Sequence, residues 1–167
     1  MVKKIYFDMD GVLADFDRGV EELCGIPRRN QETVDEAQDN QMWEAIRQIS
    51  HFYDQLAPMP GALDMFWALY HKYGDQCEIL TGIPKAKRGI ATAGEDKISW
   101  VHRVLTPDIK VNVVYKEEKK NYCTGPECVL IDDFSENIKA WENDGGTGIL
   151  HKNAKETVKK LETMGIL

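Results

Sequence analysis

The sequence lacks any long apolar run, which excludes two classes of protein. A membrane-spanning helix needs about 18 or more consecutive apolar residues, and no segment approaches that length. The first strand-like run, Ile5–Phe7, is also too short to be the apolar centre of a signal peptide. We therefore expect a cytoplasmic protein that has no membrane partner.

Positive charge is scarce, because 21 lysines and arginines stand against 28 acidic residues and give a formal net charge of −7. Proteins that bind nucleic acid or anionic membranes broadly carry a basic surface, so no stable nucleic-acid partner is expected. A small phosphorylated ligand remains compatible with this composition, because one local basic pocket is enough to hold it.

The four cysteines do not form a pattern that indicates a disulfide framework or a zinc site. Only Cys123 and Cys128 are close in sequence, and no second pair of cysteines or histidines follows at a matching spacing. The chemistry must therefore come from other side chains.

Short apolar runs alternate with amphipathic patterns along the 167 residues, which is the length of a single domain. This alternation predicts an α/β fold, with a Rossmann-like parallel sheet as its core and helices on both faces. The predicted strands are Val2–Phe7, Glu78–Leu80, Val111–Tyr115, Val129–Ile131 and Gly148–Leu150. Residues at helical spacing predict helices around Met42–Ile49, Leu63–Tyr70, Ile98–Leu105 and Ala154–Leu161.

One segment interrupts the alternation, because residues 17–57 contain only helical patterns. Pro58–Gly61 then forms a rigid turn that cannot continue a helix. We therefore predict a small helical cap at 17–57, inserted after the first strand of a core that comprises 1–16 and 58–167.

Acidic pairs follow two of the predicted strands. Asp8 and Asp10 come after the first strand, and Asp132 and Asp133 end the strand that begins at Val129. Ligands bind at the carboxyl ends of parallel strands, so these acids are expected to converge. Such a cluster needs a cation, and ligands that are all oxygen favour Mg²⁺.

Two further signals fit a phosphate group. Thr81 and Gly82 end a third predicted strand, where a hydroxyl and a backbone N–H could hold a phosphoryl oxygen. Lysines follow at Lys85 and Lys87, and again at Lys116, Lys119 and Lys120 before the second acidic pair. One lysine of the later group could reach the site.

The order of these motifs resembles that of the haloacid dehalogenase (HAD) superfamily of phosphohydrolases. The resemblance implies that Asp8 is a nucleophile that also binds Mg²⁺. It implies that Asp10 protonates the leaving oxygen, later activates water, and binds the metal through its main-chain carbonyl. Thr81 would hold a phosphoryl oxygen, and Lys119 would neutralise charge. Asp132 and Asp133 would complete the metal shell. Which of these two acids binds the metal directly is left open, and so is the choice between Lys119 and Lys120 as the catalytic lysine.

Within that superfamily the sequence is similar to the 5′(3′)-deoxyribonucleotidases, in the segments Asp8–Phe16, Pro58–Ala62, Lys97–Val101 and Leu130–Asp133. This likeness implies a nucleoside monophosphate as substrate and partner. Phe16 would contact the base together with Trp43, Phe52 or Tyr53. Gly82 and Lys85 would lie near the phosphate. The oligomeric state stays open, with a dimer as one option.

Three alternatives also fit the sequence. The substrate could be another small phosphorylated metabolite or a polynucleotide 3′ end, although the acidic composition disfavours the latter. A receiver-like regulatory module also uses acids, a threonine and a lysine, but it places the acidic pair before the acceptor residue. A degenerate phosphate-binding module is the third alternative.

Overall fold

The computed structural model describes residues 1–28 and 33–167. Five strands alternate with helices in these two ranges. The strands are β1 (Lys4–Phe7), β2 (Cys77–Gly82), β3 (Lys110–Val114), β4 (Cys128–Asp132) and β5 (Thr147–Leu150). The α-helices are α1 (Phe16–Cys24), α2 (Glu36–Gln48), α3 (Ala62–Tyr73), α4 (Ala93–Val104), α5 (Ser135–Asn143) and α6 (Ala154–Thr163). Short 3₁₀ helices occupy Phe52–Gln55, Gly74–Gln76, Ala86–Arg88 and Lys116–Tyr122.

All strands of the sheet are parallel and lie in the order β3-β2-β1-β4-β5. The predicted fold class, a Rossmann-like parallel sheet with helices and a helical insertion after the first strand, is confirmed. The chain runs outward from β1 to β3 on one side and from β4 to β5 on the other. The strand order therefore reverses between β1 and β4, and that reversal opens the crevice where such sheets bind ligands.

Both faces of the sheet are covered, which explains why most residues of its central strands β1, β2 and β4 are buried and apolar. Alternate residues of a strand point to opposite faces. Ile5 and Phe7 belong to the larger core cluster, which includes buried side chains of α3, α4 and α6. Tyr6 belongs to a smaller cluster on the other face, where it packs against Leu130 and Trp141.

The segment between β1 and Pro58 leaves and rejoins the sheet at one place. The N–H of Asp15 donates to the carbonyl of Ala57 at 2.7 Å, and the N–H of Met59 donates to that of Leu13 at 2.8 Å. The predicted division into a core (1–16 and 58–167) and a cap (17–57) stays a prediction. Residues 29–32 of the predicted cap lie outside the described residues.

This segment packs tightly against α4. The indole N–H of Trp100 donates to the carbonyl of Leu56 at 2.7 Å, and His51 lies 2.7 Å from the carboxylate of Asp96. Phe52 is buried in the same core cluster as β1. Among the described residues, no helix is both long enough and apolar enough to span a membrane.

Candidate active site

A cavity of about 860 Å³ opens at the carboxyl ends of β1, β2 and β4. It includes the crevice where the strand order reverses, which is the usual ligand site of open α/β sheets. Nearly all the residues that the motifs single out lie on its walls. They are Asp8, Asp10, Phe16, Gly82, Lys85, Lys119, Asp132 and Asp133.

Three carboxylates converge at the base of this cavity. Oxygen atoms of Asp8, Asp132 and Asp133 lie within 4.8 Å of one another. The backbone brings them together, because the N–H of Asp8 donates to the carbonyl of Ile131 at 2.9 Å. Gly11 permits the close approach of Asp133: a Cβ atom at Gly11 would lie 2.1 Å from an oxygen of that carboxylate.

Lys119 bridges two of these acids. Its ammonium group lies 2.9 Å from an oxygen of Asp8 and 2.8 Å from an oxygen of Asp132, and the residue is only 3% exposed. Burial alone would lower the pKa of Lys119, but the charges of Asp8 and Asp132 outweigh it and raise the pKa. Lys119 therefore stays charged, whereas the neighbouring Lys120 is exposed to solvent.

The two acids that end β4 have different surroundings. Both oxygens of Asp132 are occupied, one by the N–H of Phe134 at 2.9 Å and the other by Lys119 and by Asn137 at 3.1 Å. Asp133 is exposed as a residue, but partial desolvation of its carboxyl group in the acidic cluster, followed by the charges of Asp8 and Asp132, raises its pKa to about 8. Asp132 is fully buried, whereas Asp133 is exposed and lines the cavity, so the carboxylate of Asp133 is the more available of the two to a cation.

The carboxylate of Asp10 lies apart from this cluster. One of its oxygens accepts from Lys97 at 2.7 Å, and the other is buried with no hydrogen-bond partner in the described part of the chain. Thr81, which was predicted to hold a phosphoryl oxygen, is fully buried and does not line the cavity, but it contacts Lys97 at 3.1 Å. The structure thus brings Asp10 and Thr81 together through a lysine that the motifs did not assign.

The sequence analysis assigned no role in the site to Lys97, which begins one of the segments similar to the nucleotidases, and it did not single out Asn137. Lys97 also left a physical signal, because it lies one turn from Trp100 and Val101 on the buried face of α4. A lysine on the apolar stripe of an amphipathic helix is unusual and needs a buried partner. Asn137 left no signal, because a polar residue in the first turn of a helix is ordinary.

Aromatic side chains form one wall of the cavity. Phe16 lies 6.1 Å from Trp43 and 6.2 Å from Tyr53, measured between ring centroids, and all three line the cavity. Phe52 packs against Phe16 but does not line the cavity. Among the predicted base contacts, the structure therefore brings Phe16, Trp43 and Tyr53 to the cavity and leaves Phe52 behind them.

Basic side chains surround the cavity mouth. Lys85, Lys87, Lys116 and Lys152 line it and are exposed, and none of them forms an ion pair with any residue that the structure describes. Arg88, by contrast, is paired with Asp39 at 2.7 Å. The mouth of the cavity can therefore attract an anion, although the molecule as a whole is acidic.

The acidic cluster suits a hard divalent cation. Its three carboxylates offer only oxygen, and no cysteine or histidine belongs to the set of described residues that could ligate an ion there. Mg²⁺ prefers such ligands and commonly binds through one or two carboxylates together with substrate oxygens.

No family model and no curated protein matches this sequence, but solved structures do match its fold. A HAD-superfamily hydrolase from Ehrlichia chaffeensis is 15% identical, with a TM-score of 0.60 and 98% of each chain covered. A candidate phosphoglycolate phosphatase from Lactobacillus delbrueckii subsp. bulgaricus is 14% identical, with a TM-score of 0.56 and coverage of 99% of this chain and 98% of that one. The L-2-haloacid dehalogenase from Xanthobacter autotrophicus is 13% identical, with a TM-score of 0.52 and coverage of 100% and 85%.

The fold of this chain is therefore that of the HAD-superfamily hydrolases. At these identities the likeness concerns the fold, and the activity has to be argued from the side chains in the cavity. The narrower resemblance to 5′(3′)-deoxyribonucleotidases rests on the sequence segments alone.

We expect Lys119→Ala to impair activity strongly, because the change leaves the acids of the cluster without their buried cation. The expected loss is about 3 kcal/mol of transition-state stabilisation, or roughly 150-fold in kcat/KM, similar to the loss of an oxyanion donor. Lys120→Ala is the matched control, and this exposed change should alter kcat/KM by less than about threefold. Steady-state kinetics at saturating Mg²⁺ measure both. Equal effects of the two changes would contradict the assignment of Lys119.

Proposed function

We propose that this protein is a magnesium-dependent phosphatase that hydrolyses phosphomonoesters through an aspartyl-phosphate intermediate. The observation that carries the proposal is the buried bridge of Lys119 between Asp8 and Asp132, at the reversal point of the sheet. A lysine held against a potential carboxylate nucleophile is suited to a reaction in which negative charge accumulates on phosphoryl oxygens.

In the proposed first step, a carboxylate oxygen of Asp8 attacks phosphorus, and the bond from phosphorus to the leaving oxygen breaks. Asp10 gives its proton to that oxygen. In the second step, water attacks the phosphorus of the aspartyl phosphate, its proton passes to Asp10, and Asp8 and inorganic phosphate are released. Lys119, which lines the cavity, would hold a phosphoryl oxygen, and the covalent intermediate divides one difficult displacement into two easier ones.

Asp8 and Asp133 would hold the magnesium ion, with the main-chain carbonyl of Asp10 as a further ligand. Asp132 would act mainly by holding Lys119 and Asn137, because both of its oxygens are already occupied. A bound Mg²⁺ would supply positive charge against the phosphoryl oxygens.

The cavity supports a nucleoside monophosphate as the substrate. Phe16, Trp43 and Tyr53 offer an aromatic wall, and a base stacked on an aromatic ring gains about 1–3 kcal/mol. Lys85 and Lys87 approach from the loop that follows Thr81, where they could attract the phosphate. The proposed substrate class is therefore a 5′ or 3′ nucleoside or deoxynucleoside monophosphate.

A screen for phosphate release tests this proposal. The purified protein with Mg²⁺ is offered nucleoside 5′- and 3′-monophosphates, sugar phosphates and an aryl phosphate at equal concentrations. We expect nucleoside monophosphates to have the highest kcat/KM. A preference for sugar phosphates would retain the phosphatase and reject the nucleotide, whereas release from no phosphomonoester would reject the phosphatase itself.

We expect Phe16→Ala to reduce the preference for nucleotides. The change removes a ring from the cavity wall, so kcat/KM for a nucleoside monophosphate should fall by about 5- to 150-fold, which corresponds to a loss of 1–3 kcal/mol. Cleavage of p-nitrophenyl phosphate should fall much less, because that substrate has no base to stack. Equal losses on both substrates would assign Phe16 to packing within the cluster of Trp43, Phe52 and Tyr53.

A further inference from the structure

Lys97 is the most completely enclosed cation in the described part of the chain. It lies on α4, it is 0% exposed, and its ammonium group lies 4.5 Å from the ring centroid of Tyr53. Burying a lysine is costly unless its charge is paired and its protons are bound. The surroundings of this side chain must therefore compensate for the loss of water.

All three protons of the Lys97 ammonium group have acceptors. They are an oxygen of Asp10 at 2.7 Å, the hydroxyl of Thr81 at 3.1 Å and the carbonyl of Gly82 at 2.5 Å. A lysine has three donors and no acceptor, so this set uses its capacity fully. Lys97 has no proton left for a substrate, which sets it apart from a phosphate-binding lysine.

The contact with Asp10 distinguishes the two oxygens of that carboxyl group. Lys97 holds one oxygen, and the other is buried without a partner among the described residues. A buried polar atom without a partner is destabilising, so its persistence calls for a functional reason. Asp10 as a residue lines the cavity, so by holding its carboxyl group Lys97 fixes the orientation that the group presents to a leaving group or to water.

The contact with Thr81 orients a second group. Because Lys97 donates to the Thr81 oxygen, the hydroxyl proton of Thr81 must point elsewhere. Thr81 is fully buried and does not line the cavity, so this contact holds its hydroxyl behind the cavity wall, next to Asp10. One buried ammonium group thus fixes both a proton-transferring carboxyl and a hydroxyl donor.

We propose that Lys97 is a positioning residue that holds Asp10 in the orientation for proton transfer to the leaving oxygen. The proposal rests on the phosphatase function above and deepens it. Lys97 does not line the cavity, so it would act through Asp10 and, to a smaller extent, through Thr81.

The test is how the effect of Lys97→Met depends on the leaving group. Benzyl phosphate and p-nitrophenyl phosphate are similar in size, but only the benzyl alkoxide needs a proton as it leaves. General acid catalysis contributes about 10²–10⁴-fold, so the change should lower kcat/KM for benzyl phosphate by about 100-fold or more. The loss for p-nitrophenyl phosphate should be about tenfold or less, so the ratio of the two values should fall at least about tenfold.

The ratio of the two kcat/KM values cancels any uniform loss, such as partial unfolding or a disturbed Thr81. Lys139→Met is the matched control, because Lys139 is exposed on α5 and does not line the cavity. It should leave the ratio unchanged. Equal losses on both substrates in the Lys97→Met variant would overturn the proposal. A wild-type protein that cleaves neither substrate would overturn the phosphatase function instead.

A second variant keeps the test decisive if Lys97→Met alone does not fold. The pair Asp10→Asn with Lys97→Met removes both charges together and leaves no carboxylate without its cation. For this double variant, the ratio of kcat/KM for benzyl phosphate to kcat/KM for p-nitrophenyl phosphate should match the ratio for Asp10→Asn alone within about threefold. The reason is that Lys97 acts on the leaving group only through Asp10. A ratio far below that of Asp10→Asn would overturn the proposal by giving Lys97 a direct role.

Discussion

Replacing Asp8 by asparagine should lower phosphatase turnover by at least about 10⁴-fold, because an amide oxygen cannot form the aspartyl phosphate. Losses of this size are typical when a nucleophile is removed and the rest of the site stays in place. The fold should survive, because the change removes one of three crowded negative charges. Circular dichroism and thermal unfolding check the fold, and phosphate release checks turnover.

Asp108→Asn provides the matched control for the Asp8 change. Asp108 is exposed and precedes β3, at the edge of the sheet opposite the cavity. The turnover of the Asp108→Asn protein should remain within about threefold of that of the wild type. If the Asp8→Asn protein retained turnover within tenfold of the wild type, the nucleophile would have to be another residue.

Removing divalent cations should abolish activity, and adding Mg²⁺ should restore it. The three carboxylates carry more negative charge than Lys119 can balance, so the cluster would hold phosphate poorly without a metal. Ca²⁺ should not restore turnover, because its larger and looser shell would misplace the nucleophile. Assays after treatment with EDTA, followed by titration with each cation, measure this, and full activity in EDTA would contradict the account.

The stability of the metal-free protein gives this prediction a second readout. The pKa of Asp133 is about 8 in the folded state and about 4 in an unfolded chain. Between these values the folded protein binds a proton that the unfolded chain has lost, so stability should fall as pH rises through that range. Magnesium competes with this proton, and it should therefore raise the melting temperature more at pH 8.5 than at pH 6. A magnesium effect that does not depend on pH would contradict this.

Much of the fold could be predicted because the central strands are buried on both faces and most residues of every strand are apolar. Every predicted strand overlaps an observed one, from β1 at Lys4–Phe7 to β5 at Thr147–Leu150. One helix, α5, was missed, and α1 was predicted only as part of the helical segment 17–57, without a position of its own. Both have only nine residues, and α5 buries only Ile138 and Trp141. Two buried residues are too few to establish a helical period against a polar background.

The acidic residues of the site could be predicted because each follows its strand directly, and the sheet topology then brings strand ends together. Lys97 could not be assigned a role in this way. Its acceptors come from Asp10, Thr81 and Gly82, which meet only after β1, β2 and α4 have packed. The sequence also could not show which of the adjacent residues Phe52 and Tyr53 lines the cavity. Tertiary packing places Tyr53 on the cavity wall and Phe52 behind it.

The stereochemical course at phosphorus tests the central claim most directly, because it does not require the intermediate to accumulate. A phosphomonoester made chiral with oxygen isotopes and sulfur is hydrolysed by the wild-type protein in isotopically labelled water, and the configuration of the product thiophosphate is determined. Two successive in-line displacements, first by Asp8 and then by water, predict net retention. Net inversion would mean a single direct attack by water and would contradict an aspartyl-phosphate mechanism.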